Sequence, residues 1–201
     1  MDNKHFSEFE KFSGLGLKKD ATKSLRLFIQ SLASDEEKTE WVWAYLDKLP
    51  QERHSRIRHE LFAEVVYPVL KAGFENKNYD ATLWLGLLNQ NILRNKAILK
   101  EINYSGYHFY KCCLKIDPSR EQAKIFMLQE LIQWFSYIFH EWPSGVLYGP
   151  HGATLEECSD IRKELDFSLT LRPSEVQEDE IKEYRAMLTE YEARLQQRKP
   201  D

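Results

Sequence analysis

The spacing of the apolar residues constrains this chain more than any other feature: they recur every three or four positions along nearly its whole length. That period gathers them on one face of an α-helix and scatters them over both faces of a strand. The clearest run is Ala123, Phe126, Met127, Leu131, Trp134, Phe135, Ile138 and Phe139. It predicts a long helix that serves as the central core element. Turn-forming residues are few, with 8 Gly and 7 Pro in 201 residues, and a fold of many short strands needs more. The expectation is an all-α chain.

Caps and breakers divide the pattern into about eight helices. Asp20 is placed as N-cap of a helix carrying Leu25, Phe28, Ile29 and Leu32. Ser34 precedes Asp35, Glu36 and Glu37, whose charges suit a helix N-terminus, and the stripe Trp41, Val42, Tyr45 and Leu49 follows. Pro50 predicts the start of a third helix with Ile57, Leu61, Val65 and Val69, kinked or split at Pro68 and closed by Gly73. A fourth is expected from about Tyr79 to Leu93, with a turn or continuation to Ile102, and a fifth over Ser105 to Ile116. Asp117-Pro118 reads as cap and first residue of the long sixth. Residues 142–153, with three Gly and two Pro, form the one clear irregular loop. Thr154-Leu155-Glu156-Glu157 has the form of a capping box opening a seventh helix, and an eighth follows Pro173-Ser174. The helices are expected to pair antiparallel, as a repeat-like stack or an irregular bundle. Residues 1–19 read as an N-terminal arm, loosely attached or a short helix, and 20–201 as one domain, with 174–201 as a capping or interaction helix.

The 5 Trp, 10 Tyr and 11 Phe supply enough core material to exclude general disorder. A net charge of −4 does not suit a protein that neutralises nucleic-acid phosphates. Three cysteines, Cys112, Cys113 and Cys158, fit a reducing compartment better than a disulfide framework. The opening Met1–Phe6 has no apolar core of a secretory leader. The most apolar stretch, Ile125 to Phe139, is interrupted by Gln129, Glu130 and Gln133 and is too short for a bilayer. A cytoplasmic protein with neither nucleic-acid nor membrane partner is expected.

One segment carries a family signature. Gly106-x3-Tyr110-x2-Cys113-x4-Pro118 has the small-x3-aromatic-x2-small-x4-Pro spacing of a tetratricopeptide second helix, and residues 105–123 resemble that helical-repeat family. Where the pattern's first helix carries Trp, Leu, Gly and Tyr, this chain has Gln90, Leu93, Arg94 and Ala97, and only Leu93 fits. The resemblance implies stacked helix pairs that bind other proteins.

Four segments could carry chemistry. Residues 139–152 place His140, Glu141, Ser144 and His151 with Trp142 and Tyr148 around a glycine-rich turn. A metal would take His140 and His151 with Glu141 or Cys158, and a nucleophile reading pairs Ser144 or Cys158 with a histidine. The plainer reading is a connector, with His140 capping the preceding helix. Adjacent Cys112 and Cys113 point about 100° apart on a helix, so one belongs in the core and the other nearer the surface. Arg53, Arg56 and His59 share a helical face that binds phosphate or an acidic partner, unless Glu52, Glu60 and Glu64 make it a solvated mixed-charge face. On the last helix, Ile181, Tyr184, Leu188, Tyr191 and Leu195 form a narrow seam for a partner, a second copy of the chain or the helix's own neighbours.

Charge is uneven, with −6 over residues 119–201. The function expected is a non-enzymatic protein-binding module, without cofactor, that masks a basic partner as a bacterial toxin-immunity protein does. The alternative is a metal- or ligand-dependent enzyme using the His140–Cys158 region.

Overall fold

The computed structural model describes residues 3–53, 55–142, 146–147 and 152–197. Among these residues the protein is all-helical, with eleven helices and no strand. The expected class holds, while the count exceeds eight because residues 4–14 form a helix of their own and the expected fourth helix is broken into three. The chain divides into two compact units, Met1–Asp117 and Pro118–Asp201.

The first unit holds α1 to α8. Helix α1 (Lys4–Gly14) falls in the segment expected to be an arm. It folds back antiparallel on α2 (Lys18–Ser31), as the bond from Asn3 Nδ2 to Ser31 Oγ (3.0 Å) shows. Phe6 of α1 lies 5.0 Å from both Phe28 and Trp41 and 5.6 Å from Tyr45, ring centre to ring centre. Helix α3 (Asp35–Leu46) begins as its sequence foretells: Ser34 Oγ accepts from the Glu37 amide, and Glu37 accepts from Ala33.

Pro50 does not start a helix. Residues 50–53 and 55–58 are irregular, because Ser55 Oγ donates to the Glu52 carbonyl (2.8 Å) and Ile57 is bonded sideways to Asn91. Helix α4 occupies residues 59–75: an α turn His59–Leu61, a π-helical segment Phe62–Val66 and an α segment Tyr67–Glu75. Pro68 therefore neither splits the helix nor ends it. Its ring opposes the carbonyl four residues back, and the wider π turn before it supplies the room. Gly73 is not a cap either. A Cβ there would sit 2.5 Å from Ala81 Cβ, so glycine lets α4 approach the next helix, α5 (Tyr79–Leu87), and α4 ends where Lys77 turns left-handed (φ 55°).

The expected fourth helix is three: α5 (Tyr79–Leu87), α6 (Asn89–Arg94) and α7 (Lys96–Glu101). Asn95 breaks the last two apart by accepting from the amides of Ala97 and Ile98. Helix α5 is apolar on every side and buries every residue except Asp80, so it is the central helix of this unit. Helix α8 (Gly106–Ile116) packs on α5, burying Phe109, Tyr110 and Cys113, and the ring of Tyr110 fills the space a side chain at Gly86 would need. Tyr110 and Cys113 of the repeat-like spacing thus meet α5, at Gly86 and at the Tyr79 carbonyl.

The second unit is a three-helix bundle. Helix α9 (Glu121–Phe139) starts three residues after Pro118, with Arg120 rather than Asp117 at its N-cap. It buries seven side chains, yet Ile125 is 51% and Tyr137 65% exposed, so it has a solvent side that the expected central helix would lack. The predicted capping box of α10 (Leu155–Thr170) is complete, with Thr154 Oγ1 accepting from the Glu157 amide and Glu157 accepting from the Thr154 amide (2.7 Å). Helix α11 (Glu175–Gln197) runs antiparallel to α10, tied by the ion pairs Arg162–Glu192 and Asp166–Arg185. It runs parallel to α9, against which Tyr184 stacks on Phe139 (4.9 Å). No helix among the described residues is long and apolar enough to cross a membrane.

Candidate functional site

The loop after α9 is the richest segment chemically. Its Tyr148, His151 and Ser144 lie outside the described residues. Of the remainder, His140 sits at the C-terminus of α9, where its Nδ1 meets the Tyr137 carbonyl and its Nε2 lies 3.0 Å from Glu141. Both partners are exposed and belong to the helix end itself. Trp142 turns the other way, edge-on to Tyr191 of α11 at 6.3 Å and under the Arg194 guanidinium at 5.0 Å. The returning end of the loop meets the same tyrosine, whose hydroxyl donates to the Ala153 carbonyl (3.0 Å). Gly152 is left-handed (φ 72°), and a Cβ there would lie 2.3 Å from that hydroxyl. Tyr191 therefore pins both ends of the connector.

Cys158 is fully buried, and desolvation, with Glu192 and Glu157 adding, pushes its thiol up to about 11. At neutral pH it is a protonated core side chain rather than a thiolate. Cys113 is buried against α5, with Sγ 3.8 Å from the Tyr79 carbonyl, while Cys112 is half-exposed. Among the described residues no three His, Cys, Asp or Glu side chains gather as a metal site.

The seam on α11 faces its own bundle. Ile181, Leu188 and Tyr191 are buried, and Tyr184 and Leu195 are half-buried. Burial first, then the bond its hydroxyl donates to Glu180 (2.9 Å), pushes Tyr184 up to about 12. These side chains are already occupied by the unit's core, so a partner or second copy could reach them only by opening it. The outside is acidic. Glu156, Glu175 and Glu183 are exposed and form no ion pair with any described residue.

In the first unit the basic segment is brought into a cleft of about 340 Å³ lined by Arg56, Ile57, Arg58, His59, Glu60, Gln90, Asn91 and Arg94. The helical face expected of Arg53, Arg56 and His59 does not form, because residues 50–53 and 55–58 are not helical. Arg56 and Arg58 instead flank Ile57, which is turned inward and held by buried Asn91. Asn91 Nδ2 donates to the Ile57 carbonyl (2.8 Å), and the Ile57 amide donates to Asn91 Oδ1 (3.4 Å). Arg58 is fixed by two bonds to Glu60 (2.9 and 3.4 Å) and one to Thr22 (3.2 Å). Burial raises the Glu60 pKa, but hydrogen bonds from its own backbone and from Arg58 outweigh that, so it stays below the usual carboxylate range. Arg94 and Asn91 were not singled out from the sequence. Their one signal is a spacing of three on a short helix, which puts the clamp and the third arginine on one face.

Comparison with family models, with curated proteins and with solved structures yields no match.

Proposed function

We propose that the chain is a non-enzymatic binding protein that holds a basic protein partner against its second unit. The observation that carries this reading is the segregation of charge at the boundary between the units. Residues 1–117 hold 18 basic and 16 acidic side chains, a net +2, and residues 118–201 hold 10 and 16, a net −6. A field of that sign steers a basic surface toward the three-helix unit and disfavours an acidic one. The apolar seam of α11 is committed to the bundle, which leaves the carboxylates outside as the recognition surface. Masking a basic surface, as a toxin-neutralising immunity protein does, is the concrete form of this function.

Deleting residues 174–201 would be a poor test, because α11 closes the core of its unit. Glu156→Gln/Glu175→Gln/Glu183→Gln changes charge without touching packing. The intact chain is used to capture partners from native lysate at about 0.1 M and about 1 M salt, between which the Debye length falls from about 10 to about 3 Å. The expected result is a basic protein retained at low salt, released at high salt and lost from the triple variant. A partner held equally by the triple variant, or no basic partner at low salt, overturns the proposal.

A further inference from the structure

We propose that the arginine cleft of the first unit is a binding site for a small molecule bearing a phosphate group. It stands independently of the acidic unit and of any protein partner.

The argument begins with the clamp. A buried asparagine that bonds both the carbonyl and the amide of one residue holds that residue's backbone as a neighbouring strand would. Ile57 is so held, and the arginines on either side of it are carried to the same cleft. Arg94 reaches it from the helix that supplies the clamp. Three guanidinium groups are thereby concentrated at one place in a unit whose net charge is only +2.

Their compensation is incomplete. Among the described residues the only carboxylate lining the cleft is Glu60, and it is spent on Arg58. Arg56 and Arg94 have no hydrogen bond or ion pair with any described residue. Two positive charges therefore face the cleft unbalanced. A single carboxylate balances one of them, while a phosphate monoester dianion balances both and offers oxygens that match the guanidinium fork. Gln90 adds a neutral donor and acceptor at the same wall. The volume, about 340 Å³, lies in the range of small-molecule sites and exceeds what a phosphate group alone needs.

The test is calorimetric titration of the full chain at constant ionic strength with inorganic phosphate, ribose 5-phosphate and succinate. Saturable 1:1 binding of the phosphates is expected, with ribose 5-phosphate bound more tightly than succinate. Arg56→Ala/Arg94→Ala should weaken phosphate binding at least about tenfold, each charge-assisted bond being among the stronger polar contacts. Both arginines are exposed, so far-UV circular dichroism should show the variant folded. Lys111→Ala/Lys115→Ala removes the same charge from α8 and should leave affinity within about twofold. No saturable phosphate binding, equal loss in the lysine variant, or succinate bound as tightly as ribose 5-phosphate would each overturn the assignment.

Discussion

Asn91 sets more structure than any other single side chain described above. It keeps Ile57 and its neighbours 55–58 out of a helix and aims two arginines into one cleft. Asn91→Ala leaves a buried carbonyl and amide unpaired, and each such group costs about 1–3 kcal/mol. A loss of about 2 kcal/mol is expected in urea unfolding, together with loss of any phosphate affinity of the cleft. Glycines test packing in the same way. Gly86→Ala forces a Cβ to within 2.5 Å of the Tyr110 ring and should cost about 1–3 kcal/mol, whereas Gly14→Ala meets nothing within 4 Å and should be neutral or slightly stabilising. Equal stabilities for the two variants, measured by the same unfolding midpoints, would contradict the α5–α8 packing. None of this is visible in the sequence, where Asn91 is the last of three polar residues in a row and Gly86 lies inside an expected helix.

Elements were legible to different degrees, for a physical reason. Helices whose limits depend on their own neighbours in sequence are set correctly: the Ser34 cap of α3 and the capping box of α10 are where the pattern puts them. Limits that depend on distant residues are not. Pro50 has the composition of a helix start, but Ile57 beyond it is bonded to Asn91, 34 residues away; Asp117-Pro118 has it too, but the Asp117 amide closes the preceding helix on the Cys113 carbonyl (2.9 Å). Gly73 has the composition of a stop, but its lack of a side chain serves the α4–α5 approach. The capping box gives a direct check. Thr154→Ala should cost about 1 kcal/mol, and Glu157→Ala less, in thermal melts followed at the far-UV helix signal. Tyr191→Phe removes only the bond to Ala153 and should cost about 1 kcal/mol, while retaining the bundle.

At the scale of the whole molecule the net charge of −4 conceals two units of opposite sign. Each unit has its own buried core, so residues 118–201 expressed alone should give a helical spectrum and a cooperative melt. A fragment without a melting transition would show that the three-helix core is insufficient. Stability should fall at both ends of the pH scale. Glu101, bonded by Lys71 and Tyr67, Glu121, beside Lys124, and Glu157, bonded by the Thr154 backbone, are all held below the usual carboxylate range. A depressed folded pKa contributes stability above the unfolded value, about 4.3, and that contribution disappears as pH falls through the folded one. Tyr45 and Tyr184 are pushed up to about 12, mainly by burial. Their contribution is intact below about pH 10, where the unfolded phenol begins to ionise, and is lost on rising toward 12. Melting temperature against pH should therefore show a plateau with a descent below about 4 and another above about 10. A flat alkaline limb would mean that these rings are solvated.

The sequence by itself determined the helical class, the caps built from adjacent residues, the separation of Cys112 from Cys113 and the acidity of the C-terminal part. These follow from periodicity, local hydrogen bonding and composition, which need no knowledge of distant contacts. Only the tertiary structure decided which apolar stripe was spare and which was core. The seam of α11 has the spacing of an interaction surface, yet its side chains close their own bundle, because antiparallel α10 and parallel α9 both present apolar faces to it. The basic segment has the spacing of a helical face, yet it forms a cleft, because an asparagine 34 residues away binds its backbone more effectively than a helix would. Amphipathic spacing states that a face is to be covered; the partner that covers it is fixed by how the rest of the chain folds.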